Sequence, residues 1–175
     1  TIGVPSSAAA AGGGPARSAR VVKFVRLRGS QQIPVGAFVN TRRGTVRLSS
    51  ATSTGKLQSG DFNGGVFQVR QARSNRGLTD INLSGSSFRG CKARGSRAGA
   101  SSSRVVRRVR GRARGRYRTR GRYSAATVRG TTWTVTDRCD GTLTSVSSGV
   151  VTVHDNRRHR NVTVRAHHSY LARAG

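Results

Sequence analysis

Arg110-Gly111-Arg112-Ala113-Arg114-Gly115-Arg116-Tyr117-Arg118-Thr119-Arg120-Gly121-Arg122 sets arginine at every second position. Successive side chains of a β-strand point to opposite faces, so an extended backbone places these arginines on one side, roughly 6.6 Å apart. A helix would scatter them around its circumference. The spacing therefore predicts a strand with one cationic face. Gly111, Ala113, Gly115, Tyr117, Thr119 and Gly121 face the other way. Held straight by β geometry, such a row suits a run of negative charge.

The whole chain repeats this bias. Its 175 residues hold 33 Lys+Arg against 5 Asp+Glu, a formal net charge of +28. Only Lys23, Lys56 and Lys92 are lysine, and glutamate is absent. Arginine keeps its charge when buried and offers a planar fork suited to phosphate or carboxylate. A GC-rich genome also favours arginine over lysine, but it does not account for the missing acids. A compact chain so charged repels itself, so polyanions or dense counterions are expected around it. Length predicts one core, or one core with appendages. Disorder fits 1–20 and 93–104, but not the β-branched runs Val21–Leu27 and Val150–Val153.

No stretch approaches the ~20 apolar residues of a membrane span, and no signal peptide is recognisable. The chain begins at Thr1 without methionine, which suggests removal of an N-terminal piece. Cys91 and Cys139, without CxxC spacing, suit one disulfide better than a metal site. That bridge is worth roughly 4 kcal/mol in the chain-entropy model. It also implies a location outside the cytoplasm, extracellular or at the cell surface. Two buried free thiols are the alternative.

Residues 1–20, rich in Ala, Gly and Ser, read as an extended arm. An arm with so little to bury needs something to hold it. A neighbouring subunit, engaged by strand addition, is the expected partner, with docking on its own domain as the alternative. Residues 21–90 read as a β-rich first half, 91–104 as a basic loop, and 105–175 as a second β portion sharing its core. Ala37–Asn40 and Thr45–Leu48 suggest a hairpin around Arg42-Arg43-Gly44. Asp140-Gly141 is a two-residue hairpin signal, and Ser147-Ser148-Gly149 a further turn. The expected class is all-β: an antiparallel sandwich, roll or short solenoid-like meander.

Tyr123-Ser124-Ala125-Ala126-Thr127-Val128-Arg129-Gly130-Thr131-Thr132-Trp133 resembles the signature of FecR-type domains. The likeness continues through Asp140-Gly141-Thr142, Val146 to Val153 and Val162-Thr163-Val164-Arg165-Ala166. It covers about Thr119 to Leu171, and Ile33 to Val69 looks like a looser version of the domain's earlier strands. The resemblance implies an extracytoplasmic all-β domain without catalytic activity. Founding members of that family are membrane-spanning regulators that relay a ferric-citrate signal. This chain shows no membrane helix or cytoplasmic regulatory segment, and it inserts the arginine run before the signature.

Candidate chemistry centres on Arg110, Arg112, Arg114, Arg116, Arg118, Arg120 and Arg122. Seven such contacts to duplex DNA predict log K falling with log salt at a slope of roughly −6. Tyr117 and Tyr123 lie on the opposite face, which argues for backbone or shape binding over base reading. The plain alternative is an edge strand whose charges deter unwanted pairing. His154, His159, His167 and His168 read as surface residues, and His167-His168 cannot chelate from a strand. Asp61 and Asp140 fit turns. Gly64-Gly65 and Gly12–Gly14 lack the helix a phosphate loop needs. Trp133 reads as a core anchor. No catalytic, cofactor or metal site is expected.

The expected function is a non-enzymatic secreted structural subunit. It would assemble as a homo-oligomer or polymer through its N-terminal arm, into a filament or surface layer. Its basic face would meet anionic polymer, either nucleic acid or cell-surface glycopolymer, or a neighbouring subunit. The alternatives are a monomeric polyanion-binding surface protein and the sensor domain of a FecR-like regulator.

Overall fold

The β-branched runs become strands in a computed structural model of the chain, which describes residues 1–6, 21–71, 76–91 and 103–174. Among these residues there is no α-helix, and thirteen strands follow in order. They are β1 Ile2–Ser6, β2 Val21–Val25, β3 Phe38–Asn40, β4 Thr45–Ala51, β5 Leu57–Asn63, β6 Val66–Gln71 and β7 Thr79–Ser84. The remainder are β8 Val105–Arg120, β9 Ser124–Arg138, β10 Gly141–Ser148, β11 Val150–Asp155, β12 Arg160–Arg165 and β13 Ser169–Arg173. The all-β expectation holds. Every pairing is antiparallel except that of β7 with β8, which is parallel.

Hydrogen bonding joins all the strands into one open network, and that network folds into two layers along its longest hairpin, β8–β9. The first half of β8 pairs with β5 and its second half with β7. The C-terminal half of β9 pairs with β10 and its N-terminal half with β11. One layer thus runs β4-β5-β8-β9-β10-β13 and the other β2-β1-β3-β6-β7-β8-β9-β11-β12.

The spine bends where it passes between layers. Ala113 pairs with Thr131, but Arg116 pairs with Arg129, so β8 carries one residue more than β9 across this point. Gly115 (φ 131°) and Gly130 (φ 71°) supply backbone conformations that side-chain-bearing residues avoid. Such bulges bend strands and turn corners between packed sheets. The result is a tight curl. A straight strand of β8's length would span about 50 Å, yet Arg107 near its start and Arg122, two residues past its end, share the same partners. The Arg107 Nε donates to Asp137 Oδ2 at 2.7 Å, and the Arg122 backbone N–H donates to Asp137 Oδ1 at 2.9 Å. Both guanidinium groups also lie over the Phe88 ring, 5.1 and 4.5 Å from its centroid.

The concave side of the curl is the core. Trp133, Tyr117, Phe62, Phe67 and Ile81 are fully buried there. Phe62 of the first layer meets Phe67 and Tyr117 of the second, at 5.6 and 5.4 Å between centroids. Buried Tyr and Trp normally find partners for their polar ends. Here the Trp133 Nε1–H donates to Thr119 Oγ1 at 3.0 Å, and the Tyr117 hydroxyl donates to the Leu48 carbonyl at 3.0 Å. Both bonds tie one layer to the other. Gly111 faces the Trp133 ring so closely that a Cβ there would lie 2.7 Å from it. The small residues between the arginines are thus the floor on which the aromatic core sits.

Several local expectations change. Strand β3 pairs with β1 and β6, and β4 pairs with β5, so the Arg42-Arg43-Gly44 turn crosses between layers and closes no hairpin. The chain crosses again at Gly64-Gly65, where a Cβ on Gly65 would lie 1.9 Å from the Arg108 carbonyl oxygen. It crosses a third time at Gly149 (φ 80°): β10 pairs with β13 while β11 pairs with β12. The last third is therefore no simple meander. The β9–β10 loop is Cys139-Asp140, one residue earlier than expected, and Gly141 already pairs with Arg138. The expected N-terminal arm begins as β1 of the chain's own sheet, between β2 and β3. Residues 7–20 of that arm and 92–102 of the expected basic loop lie outside the described residues. Cys91 and Cys139 form the disulfide, 48 residues apart.

Candidate polyanion interface

Alternation carries through β8. Val109, Gly111, Ala113, Tyr117 and Thr119 are buried, while Arg110, Arg112, Arg114, Arg116 and Arg120 are exposed and Arg118 is half-buried. The arginines therefore share the outer side of the strand, as the spacing predicts. The row is not straight. It fans over the convex side of the curl, with Arg110, Arg112 and Arg114 on the outer face of the first layer and Arg116, Arg118 and Arg120 on that of the second. Nor is β8 an edge strand, since both its sides are paired. Protection against edge pairing does not account for its charge.

The seven arginines differ in what they touch. Arg118 Nε and Arg120 Nε both donate to Asp80 Oδ1, at 2.5 and 3.1 Å. Arg116 reaches the Arg76 carbonyl at 3.4 Å. Arg122 leaves the row to stack on Phe88 and on Tyr123, the latter 5.5 Å away. An arginine–aromatic stack thus exists at one end, where the opposite-face placement of Tyr123 had argued against one. Arg110, Arg112 and Arg114 make no ion pair or side-chain hydrogen bond among the described residues. Arg108 extends the same outward row, exposed and, among the described residues, with its side chain bonded only to Thr136 Oγ1 at 3.3 Å. The signal for it was in the sequence, because Val109 continues the alternation.

The first layer's outer face is polar around this rib. Arg110 lies between Asn63 and Thr134, Arg112 between Asp61 and Thr132, and Arg114 beside Ser59. Asp61 itself is held by Arg47 through both carboxylate oxygens, at 2.8 and 3.1 Å. That hydrogen bond, aided by the charges of Arg47 and Arg112, outweighs partial burial and holds the Asp61 carboxyl below the usual carboxylate range. Burial pushes the Asp80 carboxyl up, but the Arg118 hydrogen bond and the Arg120 and Arg118 charges prevail and hold it low.

All five acidic residues of the chain are engaged internally. Asp61 and Asp80 bind arginines as described. Asp137 binds Arg107 and accepts from the Thr142 hydroxyl, and Asp140 pairs with Arg138. Asp155 caps a turn, accepting from the N–H groups of Arg157 and Arg158 at 3.0 Å and from the Tyr170 hydroxyl at 2.7 Å. Burial pushes the Asp155 carboxyl up, yet these hydrogen bonds hold it low. The histidines are dispersed: His154 meets Asn161 and His168 meets the Ala166 carbonyl, both at 2.9 Å. Among the described residues, no three metal-ligating side chains gather. No described helix is long and apolar enough to cross a membrane.

No family model matches the chain, and neither a curated protein nor a solved structure matches it. Geometry and charge alone define the site: a rib of outward arginines across the middle of a polar sheet face.

Proposed function

We propose that this chain is a non-enzymatic structural protein, working outside the cytoplasm, that binds phosphodiester-rich anionic polymer through the outer face of its first layer. One observation carries the reading. Arg108, Arg110, Arg112 and Arg114 stand outward on an internal strand, and the one aspartate beside them, Asp61, is already held by Arg47. Internal neutralisation therefore leaves the positive excess facing solvent. Arginine forks fit phosphate oxygens, and polar neighbours such as Asn63, Thr132 and Thr134 add hydrogen bonds without base-reading geometry. The disulfide supports the extracytoplasmic setting.

The test is a salt titration of binding to short duplex DNA and to poly(glycerol phosphate). Four phosphate contacts on duplex DNA predict a log–log slope of roughly −4. Changing Arg110, Arg112 and Arg114 together to Gln should flatten it by about 3. Absence of binding to either polymer at low salt refutes the reading.

Self-assembly is a second reading, favoured by the edge strand β2, where Phe24 and Val25 are 41% and 55% exposed. An apolar edge without a partner among the described residues invites another strand. Exchange of the N-terminal arm is the weaker route, since β1 is already bonded within its own chain. Sedimentation of the polymer-free protein over a concentration series separates assembly from simple binding.

A further inference from the structure

The curl of β8 gives the cationic row two faces, and we infer that the protein bridges two separate segments of phosphodiester polymer, one on each outer face. This rests on the polymer-binding reading above and deepens it. The first face carries Arg108, Arg110, Arg112 and Arg114. The second has its own unpaired charge. Arg116 and Arg129 stand directly opposite each other on β8 and β9, both exposed. Neither makes an ion pair among the described residues. Like charges directly across a strand pair repel, and an anion seated between them relieves that repulsion. Arg165 of β12 extends the patch: Val151 links Val128 to Val164 across β11, and the exposed Arg165 pairs with Val150.

The two patches cannot grip one straight polymer as a single row. Arg107 near the start of β8 and Arg122 just past its end meet at Asp137 and Phe88, so the outward directions of its two halves diverge. Packed sheets lie about 10 Å apart, and the arginines stand off both outer surfaces. Arg114 and Arg116 adjoin at the bend, but Arg108 and Arg110 on one outer surface and Arg129 and Arg165 on the other lie on opposite sides of the packed layers, beyond the ~8 Å Debye length at physiological salt. The carboxylates on these faces, Asp61 and Asp80, are each held by arginine.

The experiment mixes donor-labelled and acceptor-labelled duplexes, each too short to wrap the protein, with limiting full-length chain near physiological salt. Energy transfer reports bridging and anisotropy reports binding; a parallel arm uses labelled poly(glycerol phosphate), to tell a nucleic-acid source from a glycopolymer one. The expected result is transfer with wild type in at least one arm. A first-face variant (Arg110, Arg112 and Arg114 to Gln) and a second-face variant (Arg116, Arg129 and Arg165 to Gln) should each still bind one segment and lose at least tenfold in transfer. Circular dichroism and the emission of buried Trp133 verify that both variants are folded, and Ser replaces Gln where they are not. Binding of one segment without transfer overturns bridging and leaves the polymer-binding reading standing. Transfer that survives in both variants overturns the two-face assignment. No binding in either arm overturns both.

Discussion

Replacing Asp137 with Asn should open the clasp that holds the curl. This carboxylate is fully buried and accepts from Arg107 Nε, the Arg122 backbone N–H and the Thr142 hydroxyl, at 2.7, 2.9 and 2.5 Å. It is an acceptor at both oxygens, whereas an amide is a donor at one end. With the amide nitrogen at the Oδ2 position, it faces the Arg107 Nε–H. With the nitrogen at Oδ1, it faces the Arg122 N–H and a Thr142 oxygen that already accepts from the Tyr123 N–H at 3.0 Å. Either orientation sets donor against donor. Removing one partner of a buried ion pair costs about 3–5 kcal/mol. The Arg107 side chain keeps 20% of its exposure, and its partial rehydration places the expected loss near 3 kcal/mol, the low end of that range. Against a typical stability of about 5–15 kcal/mol this is a large fraction. Urea unfolding followed by emission of Trp133, the single tryptophan, measures it. A double-mutant cycle with Arg107→Gln isolates the pair. A loss under about 1 kcal/mol, or simple additivity in the cycle, refutes the clasp.

Gly111→Ala places a Cβ 2.7 Å from the Trp133 ring and should destabilise by about 1–3 kcal/mol through overpacking, read from the urea midpoint. An unchanged midpoint would mean that the ring moves aside freely. Acid should weaken the fold through Asp80 and Asp155. Both carboxyls titrate lower folded than unfolded, so their contribution is complete above the unfolded value near 3.9 and disappears as pH falls below it through the folded values. Thermal midpoints between pH 7 and pH 2 should drop chiefly below about pH 4. Asp80→Asn should shallow that drop, and an identical profile would show that Asp80 contributes nothing to it.

The strand character of β8 was legible because arginine alternates with small or aromatic residues, and parity alone sorts side chains between core and solvent. The same parity hid the bend. Alternation in β8 runs undisturbed through Gly115, while β9 changes which residues face inward, from Ala126 and Val128 to Thr131, Trp133 and Val135. Nothing local in the arginine run reports that change in its partner. The hairpin expected at Arg42-Arg43-Gly44 failed for a related reason. A turn signal marks a reversal of the chain, but does not distinguish a reversal within one sheet from a step to the other layer.

Composition and alternation by themselves determined an all-β chain with an outward cationic strand and a small-residue inner face. With no other cysteine, Cys139 was the one partner open to Cys91, and the structure decides between the disulfide and two free thiols in favour of the bond. Tertiary structure alone decided which arginines stay open to solvent. Asp80 reaches Arg118 and Arg120 from 38 and 40 positions away, and Asp137 joins Arg107 to Arg122 across the curl. Charge counts are additive along a sequence. Neutralisation depends on distance in space, and only the folded curl brings these groups within reach of one another.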